Sequence, residues 1–214
     1  MMKLTLGVGL TFASILAHAT VIAPATAVIP NPVLTAVGPN SAVLLTISGK
    51  YNFNVLPPPD ISATYVETAY ADTTNPFNTI SGIYDTTIVL KITVGPGTTS
   101  IERATLGYFG GFDTSVSYLA SSSAAPTKAT RDKFSSVIGY DFFGLTQGDV
   151  ETLIVYTNGR AVDTDGTVSI QDGTTGDNVG LSMAPEPLSA TLLPIGLAFL
   201  IFVAHRPKRP PSLS

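Results

Sequence analysis

The chain has 214 residues, 12% of them charged, with 19 glycines, 16 prolines, no cysteine and a formal net charge of −4. That length suits one domain with terminal extras, and a charged fraction about half the usual ~25% with abundant turn formers suits a β-rich body. The lack of cysteine excludes disulfides, thiolate metal sites and cysteine nucleophiles. Between residues 20 and 184, seven Lys/Arg face fourteen Asp/Glu, so the body stands near −7. An acidic body argues against nucleic-acid binding, which needs a clustered basic footprint.

Met1–Ala19 reads MMKLTLGVGLTFASILAHA. Lys3 supplies a positive start, Leu4 to Ala17 a short apolar stretch, and Ala17-His18-Ala19 an A-x-A site. These are the three parts of a secretory signal, so signal peptidase is expected to cut after Ala19. A second A-x-A, Ala25-Thr26-Ala27, extends the cleavage window to residue 27. The apolar stretch is short for a permanent membrane span.

Residues 28–183 carry strand signals rich in β-branched and aromatic side chains, several alternating at period two. They are Ala42–Ser48, Tyr51–Val55, Thr64–Tyr70, Thr87–Val94, Ile101–Phe109, Ser136–Phe143, Glu151–Thr157 and Thr167–Asp172. Turn signals stand between them at Ser48-Gly49, Pro57–Asp60, Gly95-Pro96-Gly97, Gly110-Gly111 and Asp172-Gly173. Asn158-Gly159 has the composition of a type I′ hairpin turn. Only Thr127–Phe134 reads as a short helix, and no repeat of 20–50 residues emerges. Eight or more short strands with regular turns predict an all-β, antiparallel β-sandwich or jelly-roll-like domain.

The chemistry available to that body is narrow. Its two histidines, His18 and His205, both lie outside 28–183, so a Ser-His-Asp triad, a Cys-His dyad and an HExxH zinc site are excluded there. Paired carboxylates remain open for glycosidase-type chemistry, but most acids sit in turn contexts where Asp closes loops. The body's glutamates are Glu67, Glu102 and Glu151, and the chain has no tryptophan to stack on a sugar ring. Asp163-Thr164-Asp165-Gly166 resembles the start of a calcium loop, but position twelve is Thr174 rather than Glu. A hairpin turn before Thr167 is the plainer reading, and Tyr140-Asp141-Phe142-Phe143 reads as core. No cofactor and no metal is expected.

After the body comes APEPLSATLLPIGLAFLIFVAHRPKR, residues 184–209, followed by five more residues. Leu188–Ala204 is a 17-residue run without charge; as a helix it would span about 25 Å, slightly short of a ~30 Å bilayer core. Arg206, Lys208 and Arg209 then supply the positive charge that holds such an end in the cytoplasm. The ordered trio of Pro185-Glu186-Pro187, apolar segment and basic end, behind a signal peptide, resembles the PEP-CTERM sorting signal of Gram-negative bacteria. The family more often ends on an arginine-rich run, whereas Pro207 interrupts this one and residues 210–214 follow it.

The resemblance implies a single transmembrane sorting helix, recognition of Pro185, Glu186 and Pro187 by an exosortase, and a basic stop at Arg206, Lys208 and Arg209. It implies transient residence in the inner membrane, then release to the cell surface or extracellular matrix, with exopolysaccharide as a candidate partner there. The expected role is structural or adhesive and non-enzymatic. The rivals are a permanently membrane-anchored exported protein and a carbohydrate-binding or carbohydrate-active domain.

Overall fold

A computed structural model describes residues 19–53, 61–98, 100–134 and 136–184. Among these residues the chain is all-β, with no helix. None of the described residues forms a helix long and apolar enough to cross a membrane. The helix expected over 188–204 and the turn expected at Pro57–Asp60 lie outside them.

Thirteen strands follow in order. The first three are short: β1 (Thr20–Val21), β2 (Ala27–Val28) and β3 (Asn31–Val33). Next come β4 (Ala42–Phe53), β5 (Ile61–Ala71), β6 (Thr86–Val94), β7 (Ile101–Gly107) and β8 (Thr114–Leu119). The remainder are β9 (Lys128–Arg131), β10 (Val137–Leu145), β11 (Val150–Thr157), β12 (Ala161–Asp172) and β13 (Thr174–Ala184).

Two sheets result. One runs β1-β8-β11-β6-β5-β4, with β3 also on β8; the other runs β13-β12-β7-β10-β9-β2. Every pairing is antiparallel except β3 with β8. Strand β5 shows how a sheet face forms: Ile61, Ala63, Tyr65, Glu67 and Ala69 are buried while Thr64 and Val66 are exposed, the period of a half-buried strand. Buried side chains from both sheets form one cluster, with Ile88, Leu90 and Leu153 from the first and Leu106, Ile138 and Val168 from the second. Three tyrosines tie the sheets together. The hydroxyl of Tyr51 donates to Val168 O at 2.7 Å, that of Tyr65 to Val179 O at 2.5 Å, and that of Tyr140 to Ile154 O at 2.7 Å.

Several local expectations fail for identifiable reasons. Ser48-Gly49 is not a turn, because β4 continues through it. Gly49 sits under the ring of Tyr65, where a Cβ would overlap the aromatic atoms, so close packing explains the glycine. Asn158-Gly159 joins β11 to β12, which belong to different sheets, so it is a crossing rather than a hairpin. The segment read as a helix contains β9, whose alternating burial of Ala129 and Arg131 has period two. Gly95-Pro96-Gly97, Gly110-Gly111 and Asp172-Gly173 are turns or bends as expected, and Gly173 takes the positive φ of 66° that closes the β12–β13 hairpin.

Strand direction gives the domain two ends. Loops 72–85, 108–113 and 158–160 share one end with Ala184, where β13 finishes. Loops 95–98, 120–127 and 146–149, with Gly173, share the other.

Candidate functional site

The residues expected to carry processing fall at or beyond the ends of the described stretch. Ala17, Pro185, Glu186, Pro187, Arg206, Lys208 and Arg209 lie outside the described residues. Ala19 is the first described residue and directly precedes β1, while Ala184 closes β13.

The start of the body is built into the fold. Ile22 is buried, and its N–H donates to Thr114 O at 3.1 Å. Arg131, buried on β9, donates to the carbonyl oxygens of Ile22 at 3.2 Å, Phe109 at 3.2 Å and Phe112 at 2.6 Å. Burial lowers its pKa, against the opposing pull of Asp113 and Asp132. The second A-x-A lies inside this structure, with Ala27 in β2 opposite Thr130.

Asp163 and Asp165 do not form a hairpin turn. They lie within β12, where the register against β13 shifts between Asp163 and Gly166, a β-bulge. Gly166 is required there, because a Cβ would overlap the carbonyl of Leu181. Asp163 accepts from the N–H of Thr164 at 2.7 Å, and Asp165 accepts from the hydroxyl of Ser182. Both line a cavity of about 330 Å³ with Tyr108, Ser136, Met183 and Ala184. Among the described residues no three His, Asp or Glu side chains converge as metal ligands would.

Sequence reasoning did not foresee the four buried acids Glu67, Asp72, Asp85 and Glu151, of which the two glutamates are shifted in pKa. Glu67 is sealed in the core beside β13, and burial pushes its pKa up to about 8 against a hydrogen bond from Leu181 N. Glu151 on β11 is likewise buried, which pushes its pKa up to about 7 against hydrogen bonds led by that of Ser122. Neither lines the 330 Å³ cavity or the groove below. Their placement on an inward-facing strand position was legible only once register was known.

The second opening is a groove of about 620 Å³ on the other end, lined in part by Arg103, Asp141, Phe143 and Gln171. Asp141 pairs with Arg103 and with Lys128 at 3.0 Å, and Arg103 lies over Gly139, where a Cβ would overlap its guanidinium. Tyr140 and Phe142 are core, as expected, but Phe143 is 99% exposed. Two consecutive phenylalanines on a strand cannot both face inward, and Gly144, with φ at 129°, lies within the bulged stretch of β10.

No family model, curated protein or solved structure matches this chain.

Proposed function

We propose that this is an exported, exosortase-processed protein of the cell surface or extracellular matrix, with a structural or adhesive, non-enzymatic role. Its body is then a two-layer β-sandwich, a reading supported by the shared core and the three tyrosines that bond across the sheets. One observation carries the sorting reading. The described strands run from Thr20, next to Ala17-His18-Ala19, to Ala184, next to Pro185-Glu186-Pro187. Each processing signal therefore adjoins the described strands without falling within them. The structure of residues 20–28 favours a cut after Ala19, since a cut after Ala27 would remove β1 and the buried Ile22. Replacing Pro185-Glu186-Pro187 by Ala-Gln-Ala in the native host tests the sorting step. Loss of the protein from the surface fraction and its accumulation in the membrane is the expected result; unchanged surface delivery would sink the reading.

A carbohydrate-binding body is a second reading, favoured by Phe143 standing exposed above polar side chains in the 620 Å³ groove. Aromatic faces of this kind stack on apolar faces of ligands while flanking groups form hydrogen bonds. Affinity electrophoresis through gels containing galactomannan or hydroxyethylcellulose tests it. Retardation that Phe143→Ala abolishes supports the reading, and equal mobility with and without polysaccharide contradicts it.

A further inference from the structure

The end of the body that holds Ala184 presents a cluster of exposed apolar side chains. Tyr108 is 54% exposed and Phe134 is 73% exposed, and Ile80, Ile83 and Tyr84 on the neighbouring loop are also exposed. Bonds place these loops side by side around the last strand. The N–H of Met183 donates to Tyr108 O at 3.2 Å, and that of Phe109 donates to Ser136 O at 3.0 Å. Thr86 N donates to Gly159 O at 2.8 Å, and Gly159 packs so closely on Met183 that a Cβ would strike its methyl group at 2.5 Å. Loop 72–85 is thereby brought to the same end.

Two details go beyond simple exposure. Tyr108 holds φ at 73°, a left-handed conformation that bulky residues seldom adopt and that strains the backbone. The Nζ of Lys133 lies 4.8 Å from the centre of the Phe134 ring, a cation stacked on an aromatic face. Aromatic rings with a polar or cationic handle are the side chains enriched at a bilayer's headgroup layer.

We propose that this end of the body rests on the lipid headgroup layer while the tail is still attached, with Tyr108 and Phe134 inserted. The inference rests on the reading of 188–204 as a membrane segment. Only residues 185–187 separate Ala184 from Leu188, so at ~3.5 Å per residue the end of β13 stands within about 14 Å of that segment. The opposite end of β13, 11 residues long, is roughly 35 Å further out. At this end Asp72, Asp85, Asp113, Asp132, Asp163 and Asp165 stand against Arg131, Lys133 and Arg160, and Arg160 pairs with Asp85 at 2.7 Å. That balance is acidic, so the contact is made by ring insertion into zwitterionic lipid and survives added salt.

The absence of tryptophan from the chain makes the test direct. The full chain is reconstituted into phosphatidylcholine vesicles carrying acyl chains brominated near the headgroup, with Phe134→Trp as sole tryptophan, excited selectively over the tyrosines. Phe143→Trp reports the opposite end, and Phe199→Trp reports the apolar run. The contact predicts about a twofold quenching of the Phe134→Trp protein and almost none of the Phe143→Trp protein. Equal, weak quenching of those two overturns it, whatever the tail does. Quenching at Phe199→Trp without quenching at Phe134→Trp leaves the membrane segment standing and removes the contact. Quenching at Phe134→Trp without quenching at Phe199→Trp keeps the contact and removes the membrane segment.

Discussion

Glu67 on β5 accepts a hydrogen bond at 2.7 Å from the backbone N–H of Leu181 on β13. The bond joins β13, the last described strand, to β5, the strand next to the edge of the opposite sheet. Its other carboxyl oxygen, Oε1, has no hydrogen-bond partner, so an ionised Glu67 would be a poorly compensated buried charge.

That arrangement makes stability fall with rising pH. Below about 4.5 the carboxyl is protonated in folded and unfolded chains alike. Between 4.5 and about 8 only the unfolded chain ionises, so unfolding releases a proton and stability declines. Above about 8 both forms are ionised and the loss is complete. At ~1.36 kcal/mol per pH unit the interval corresponds to at most ~5 kcal/mol. Glu67→Gln is expected to unfold in urea at a higher midpoint than wild type at pH 9, with little difference at pH 4.5. A shallower decline up to about pH 7 should persist from Glu151. Parallel pH profiles for the two proteins would contradict the assignment.

Gly166→Ala tests the bulge in β12. A Cβ there meets the backbone of Leu181 and Gly180, which cannot swing aside as a flexible side chain could. Overpacking of this kind costs about 1–3 kcal/mol, and thermal unfolding should show a drop of several degrees. Adding calcium should leave the wild-type midpoint unchanged, because among the described residues no third acid joins Asp163 and Asp165. A calcium-dependent rise would restore the loop reading.

Arg131→Met tests the anchoring of the first strand. The substitution leaves the carbonyls of Ile22, Phe109 and Phe112 without their guanidinium donor. Each lost bond costs about 1 kcal/mol or more, for a total near 3 kcal/mol by chemical denaturation. Residues 20–28 should also become the first site of limited proteolysis. A loss below about 0.5 kcal/mol would show that the N-terminal strands contribute little.

The sequence made the central strands legible where side chains alternate. The expected strands at 64–70, 87–94 and 151–157 lie within β5, β6 and β11. Glycine misled the reading at Gly49, Gly159 and Gly166, where it answers to a neighbour distant in sequence rather than to a turn. Strand β8, TSVSYL, and strand β13, with its glycines at 176 and 180, have weak local signals and exist through pairing. Tertiary context decides such segments. The same limit hid Glu67, whose burial depends on which strand lies opposite. The outward turn of Phe143 was available in principle from the Phe142-Phe143 doublet.

The intact mass of the mature protein from the surface fraction of the native host tests the central claim most directly. The account predicts a chain beginning at Thr20 and ending between Ala184 and Pro187, with any additional mass localised to that C-terminus. A chain that still ends at Ser214 would contradict sorting and leave an exported domain held by its own tail.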